Sequence, residues 1–276
     1  MRINNFIIMK PLLLNFIVLI LLFTSCAKND TVILTNEQIS VQLSLDNKEL
    51  PFIKKAQWND NNKIIFSGSS SDISVKDWLP ENFIGEQKNH INQDIKWTKT
   101  QDSVSTKAQA KRTFNEMVVT WHYQLMNNSS VLRTWVTFKN TGTKKKVPWF
   151  PIWRGSFDFG TGKNSLKYWD ALEYTPHQKS LATDSTYTLQ SRVYSSDPRY
   201  IPAQLPYWKV SNHLHSIYFG ISWCGGWNAQ ILKNNQSTQF HVRLPREETQ
   251  LELKEGEIIS GPKLIRTSVR KPEVGP

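Results

Sequence analysis

Met117–Asn140 reads MVVTWHYQLMNNSSVLRTWVTFKN, and its alternation decides the fold. Met117, Val119, Trp121, Tyr123 and Leu125 take every second place, as do Leu132, Thr134, Val136 and Phe138 after the Asn127-Asn-Ser-Ser130 cluster. A period of two is that of a half-buried strand, and four turn-forming residues between two such runs read as a β-hairpin. The same texture extends outward. Strand-like text starts at Thr31. Ile39, Val41, Leu43 and Leu45 alternate, as do Phe240, Val242 and Leu244. Turn clusters separate the runs at Asp46-Asn47-Lys48, Asn59-Asp-Asn-Asn62, Asn140-Thr-Gly142, Asn234-Asn235 and Glu255-Gly256. No long stretch has helical period; residues 76–95 read as a short helix or an irregular loop. The expected fold is all-β, a large antiparallel sandwich of two sheets. Trp149–Pro206 alternates poorly and is rich in Trp, Tyr, Asp, Arg and Pro. It is expected to form long loops at one end of the sandwich, where binding sites lie.

The first residues have a different character. Arg2 and Lys10 precede the apolar run Pro11–Phe23, and Thr24-Ser25-Cys26 follows. These are the parts of an export signal. A cysteine after small residues resembles the bacterial lipoprotein signal, with Phe23 where Leu is usual. The expected division is a signal peptide at 1–25, lipidation of Cys26, a tether at 26–35, the sandwich at 36–271 and a stub at 272–276. The expected location is the cell envelope, anchored to the membrane through the lipid. Cys224 is the only other cysteine, so the exported fold is held by its core rather than by disulfides. Cys224 is expected to be a small buried residue.

The formal net charge is +11. Removing the signal takes away two bases and no acid, and leaves a basic chain. No zinc-finger spacing, recognition helix or aromatic nucleic-acid motif accompanies the bases, so no nucleic-acid partner is expected. The excess fits an anionic envelope surface or solubility. No G-x-S-x-G, P-loop, dinucleotide fingerprint or H-E-x-x-H occurs, and no cofactor or metal is expected.

Three groups of residues carry candidate chemistry. In PWFPIWRGSFDFG (148–160), Trp149, Trp153, Arg154 and Asp158 lie close together; rings stack on sugar faces while Arg and carboxylates bond hydroxyls. Read alone, the same residues fit a strand with core aromatics and a surface ion pair. Asp170 and Glu173 are two carboxylates without a fixed separation, so they make a poor glycosidase pair. His213 and His215 have a spacing that suits a metal on one strand face, but no third ligand cluster accompanies them. GISWCGGW (220–227) places Trp223 and Trp227 around a glycine pair, where backbone turns sharply. The two rings are either core filling or a flat surface for a ligand.

Together these motifs resemble a known family. LPYWKVSNHLHSIYFGISWCGGWNAQIL (205–232) followed by LELKEGEIISGPKLI (251–265) is similar to the N-terminal β-supersandwich of glycoside hydrolase family 36 α-galactosidases. Trp223, Cys224, Gly225, Gly226 and Trp227 match its tryptophan turn, with Cys224 where Ser or Thr is usual; the resemblance implies that this turn faces the family's barrel, so that the two rings pack that interface or line a sugar site, with packing favoured for Trp223 and Trp227 left open. Leu253, Gly256, Glu257 and Pro262 match its later turn. VLRTWVTFKNTGTKKKVPW (131–149) resembles its strand–Asn–turn hairpin, and SRVYSSDPRYIPAQLPYW (191–208) its Arg-plus-Ser segment. The resemblance covers roughly 120–271. It implies a carbohydrate-related function, in which the catalytic carboxylates sit on a TIM barrel following the sandwich. A barrel takes about 250 residues, so none is expected here and no catalytic residue is carried over. What the resemblance implies is a non-catalytic domain of an α-galactosidase-like enzyme. The alternative is a free-standing carbohydrate-binding lipoprotein. Expected partners are a galactoside-containing glycan and a catalytic barrel. Trp153, Arg154, Asp158, Trp169, Arg192 and Trp227 are the expected sugar-binding residues.

Overall fold

A computed structural model describes residues 31–45, 51–69, 95–114, 116–143, 145–147, 151–158, 163–171, 174–191, 204–223, 226–234, 238–244 and 251–270. Every regular element among them is a strand. In chain order they begin with β1 (Thr31–Thr35), β2 (Ile39–Leu45), β3 (Pro51–Trp58), β4 (Ile64–Ser69) and β5 (Lys96–Gln101). Next come β6 (Ser105–Phe114), β7 (Met117–Met126), β8 (Val131–Asn140), β9 (Lys145–Val147) and β10 (Pro151–Asp158). Then follow β11 (Asn164–Asp170), β12 (Pro176–Leu181), β13 (Ser185–Gln190), β14 (Gln204–Ser211) and β15 (His215–Ser222). The last are β16 (Asn228–Lys233), β17 (Thr238–Arg243), β18 (Leu251–Leu253), β19 (Ile258–Ser260) and β20 (Lys263–Arg270).

Two large antiparallel sheets result. The eight-stranded sheet has the order β1-β2-β3-β4-β10-β17-β16-β13. The ten-stranded sheet runs β12-β11-β14-β15-β20-β8-β7-β6-β5, with β19 also on β8, and β18 pairs with β9 separately. The hairpin that announces the fold is β7–β8, in register from Met117↔Asn140 to Leu125↔Leu132. Its alternate residues Val119, Trp121, Tyr123 and Leu125, and Leu132, Thr134, Val136 and Phe138, are buried as their period requires. Residues 31–35, read from sequence as the end of a tether, pair with β2 from Thr31↔Ser44 to Thr35↔Ser40. Among the described residues the sheet thus starts at Thr31, inside the stretch expected to be tether. The 76–95 stretch lies outside the described residues except Ile95, which is buried.

The expectation of long loops over Trp149–Pro206 is corrected, because β10 to β13 fall there. Alternation is masked for two reasons. β12 is an edge strand exposed at every position but Leu181, and the β11–β14 register shifts between Tyr168 and Asp170. Neither leaves a period-two pattern to read.

Aromatic rings join the sheets. Trp208 and Phe219 stack at 5.4 Å on neighbouring strands, and Phe219 meets Phe240 of the other sheet at 4.9 Å. The series continues through Phe157 at 5.7 Å to Phe66 at 4.0 Å. Each such ring contributes about 1.5–3 kcal/mol by burial, and each favourable pair about 0.5–1.5 kcal/mol more.

Candidate functional site

The family-like motifs resolve first into architecture. Asn140 ends β8 and ties two turns together. Its Nδ2 donates to the Thr143 carbonyl and the buried Leu253 carbonyl, both at 2.7 Å, and its Oδ1 accepts from Gly142 N–H at 3.0 Å. Its backbone pairs with Gly256 and Glu257. In the LKEGE turn Gly256 has φ +78°, a region open to glycine, and Glu257 Oε2 accepts the Lys254 N–H at 2.7 Å. The strand–Asn–turn motif and the Leu-x-x-Gly-Glu motif are thus two halves of one hydrogen-bonded corner.

The tryptophan turn divides its two rings. Trp227 is 2% exposed and lies 6.1 Å from Trp208, nearly parallel, at the end of the aromatic series. Its N–H donates to Ser191 Oγ at 2.8 Å, and its carbonyl accepts the Ser191 N–H at 3.0 Å. Trp223 is 42% exposed. Trp227 is thus a core residue whose burial withholds its ring from a ligand, while the Trp223 ring stays exposed on the sandwich surface. Cys224 and Gly225, between them, lie outside the described residues, as does Cys26.

The remaining sequence-derived residues separate. Trp153, Arg154 and Asp158 lie on β10 of the eight-stranded sheet, with Trp153 opposite Val242 and Arg154 opposite His241. Their backbone is described and their side chains are not. Arg192, Trp149 and Glu173 lie outside the described residues. Asp170 ends β11, largely buried, its N–H bonded to the Thr175 carbonyl at 3.0 Å. His213 sits exposed in the β14–β15 turn while His215 is buried, so the pair shares no face. No His/Cys/Asp/Glu group among the described residues could hold a metal ion.

Trp169 is on the ten-stranded sheet and has exposed aromatic company. Its ring lies 5.0 Å from Tyr207, which is 40% exposed, and Lys167 Nζ lies 5.3 Å from the Trp169 centroid. Trp169 is half-buried. Tyr207 was not singled out in the sequence. Its partnership with Trp169 needs the β11–β14 register, which the bulge at Trp169 disguises.

The same face bears a second pairing on β7 and β8. His122 stacks on Trp135 with centroids 4.7 Å apart and planes 1° from parallel, and His122 Nε2 meets Thr137 Oγ1 at 2.9 Å. Burial, with Lys263 nearby, lowers the His122 pKa to about 4. In the core, Arg266 Nη2 donates to Thr134 Oγ1 at 2.7 Å. Burial lowers its pKa to about 9 and pushes the neighbouring Tyr123 phenol well up.

No family model matches the sequence, and no curated protein matches it. Solved structures do. The galactosidase domain of the α-galactosidase–sucrose kinase AgaSK matches with a TM-score of 0.61 at 12% identity, covering 87% of this chain and 41% of that one. The family GH36 α-galactosidase AgaB from Geobacillus stearothermophilus matches at 0.62 and 12%, covering 89% and 40%. The Slr1438 protein from Synechocystis sp. PCC 6803 matches at 0.51 and 11%, covering 87% and 96%. The chain shares the sandwich fold of these proteins and spans about two fifths of the α-galactosidase chains.

Proposed function

We propose that the chain is a non-catalytic, carbohydrate-binding β-sandwich of the α-galactosidase type. The observation that carries this reading is the fold likeness to α-galactosidases across 87–89% of the chain, joined to the half-buried Trp169 ring beside exposed Tyr207. Trp169 and Tyr207 offer apolar faces for pyranose C–H groups. Trp153, Arg154 and Asp158, on the eight-stranded sheet, are proposed as a sugar contact separate from this pair, and Arg192 as a further polar contact; Trp227 is left to the core. The test is calorimetric titration of the full chain in detergent with raffinose, stachyose and galactose-containing polysaccharides. Saturable binding to at least one, weakened about tenfold in Trp169→Ala, about 1.4 kcal/mol, is expected. Failure to bind any of them at millimolar concentration overturns the reading.

Two arrangements are consistent with this activity. In the first, the sandwich works with a catalytic barrel, supported by its spanning two fifths of the α-galactosidases. In the second it stands alone, favoured by the 96% coverage of the Slr1438 chain. Immunoblotting of cells separates them: a band near 32.0 kDa means a separate sandwich, and one more than twice that size an attached barrel. Export and anchoring through Cys26 are part of the proposal. Labelled palmitate should enter the wild-type chain and not Cys26→Ala.

A further inference from the structure

The outer face of the ten-stranded sheet carries a charge pattern that the glycan-binding reading does not by itself require. In all ten of its strands the single carboxylate residue is Asp170, which is buried, whereas Lys or Arg occurs on every strand except β7, β15 and β19. The register gathers several of these on one face. Lys167 and Lys209 are direct cross-strand partners, and Lys209 is in turn opposite Tyr218. Like charges placed opposite each other on antiparallel strands destabilise a sheet.

Three of the cations lie over rings. Lys167 lies over Trp169 at 5.3 Å, Lys209 over Tyr218 at 5.5 Å, and Lys263 over Trp135 at 4.9 Å. Cation–π contact positions an ammonium without neutralising it and leaves its remaining N–H donors for an anion. The centre of the face is open. Gly220 is the partner of both Tyr207 and Ile265, and a Cβ on it would meet nothing closer than 4.0 Å. From β11 to β8 is four strand spacings, about 19 Å, room for several linked sugars.

We propose that this face binds an acidic polysaccharide, its sugar rings lying against Trp169, Tyr207 and Tyr218 and its carboxylates or sulfates meeting Lys167, Lys209 and Lys263. The inference rests on the carbohydrate-binding reading and names the ligand class. An anion would remove the Lys167–Lys209 repulsion, which a neutral glycan would leave in place. The face commits to a glycan rather than another polyanion because rings alternate with the cations.

The test titrates the full chain in detergent with polygalacturonate, neutral galactomannan and single-stranded DNA. Polygalacturonate should bind at least tenfold tighter than either, and more weakly as salt screens the charges. The triple variant Lys167→Gln/Lys209→Gln/Lys263→Gln should lose at least tenfold, as should Gly220→Glu, which sets a carboxylate into open space. Tyr218→Ala should also weaken binding. Circular dichroism of each variant confirms folding. Equal or tighter galactomannan binding, unchanged in the triple variant, overturns this inference and leaves the glycan reading intact. Binding to neither polysaccharide overturns both. Equal binding to DNA, or binding indifferent to Tyr218→Ala, marks a general polyanion surface and overturns the inference.

Discussion

Trp227 and Trp223 lie four residues apart and do opposite work. Trp227 closes the aromatic series against Trp208 and holds Ser191 through its backbone. Trp227→Ala should therefore cost about 3–5 kcal/mol by loss of transfer energy and an unfilled cavity. Trp223→Ala, at an exposed ring, should stay within about 0.5 kcal/mol. Urea unfolding of the two variants checks both values. His122 makes the second residue-scale prediction. Its folded pKa of about 4 lies below the unfolded value near 6.5, so the unfolded chain binds the extra proton between those limits. The stabilisation is complete above pH 6.5 and is lost as pH falls toward 4. Because the ring is partly exposed, solvent screening trims the loss to roughly 1–2 kcal/mol. The urea midpoint of wild type should fall over that range, and that of His122→Gln should fall less. An equal fall in both would show that other groups carry the acid sensitivity.

At the scale of elements, the corner built on Asn140 joins β8 to the turn before β19. Replacing Asn140 by Ala strands the buried Leu253 carbonyl and frees the 141–143 turn. A loss of about 1–3 kcal/mol is expected. Gly256→Ala attacks the same corner through its backbone, since φ +78° costs an L-residue about 1–2 kcal/mol. As both changes open one corner, the double variant should lose less than the sum, a coupling that a double-mutant cycle measures. Full additivity would mean the two turns are independent. The sequence carried both motifs plainly, as an Asn after an alternating run and a Gly before Glu. Their contact, 113 residues apart in sequence, was not readable from either.

For the molecule as a whole, the Phe219–Phe240 contact and the rings on either side of it make one core of two sheets. Arg270 at the end of β20 adds a surface clasp, pairing with Asp60 in the β3–β4 turn and lying 4.5 Å from the Trp58 ring. Tryptophan fluorescence and far-UV circular dichroism should consequently report coincident urea transitions. Separate transitions would mean that the sheets unfold as independent units.

The sequence alone determined the strands wherever one face is buried and the other solvated, because burial imposes a period of two that needs no partner to be seen. It determined the turns for a similar reason, since Asn, Gly and Asp act through local backbone geometry. Edge strand β12 and bulged β11 escaped it, as exposure removes the alternation and a bulge shifts it. Only the tertiary structure decided which tryptophan is core, because burial depends on what another strand brings opposite. Only it gathered Lys167, Trp169, Tyr207, Lys209 and Tyr218 on one face, since cross-strand register, unlike periodicity, is a property of pairs of segments and is written in neither one alone.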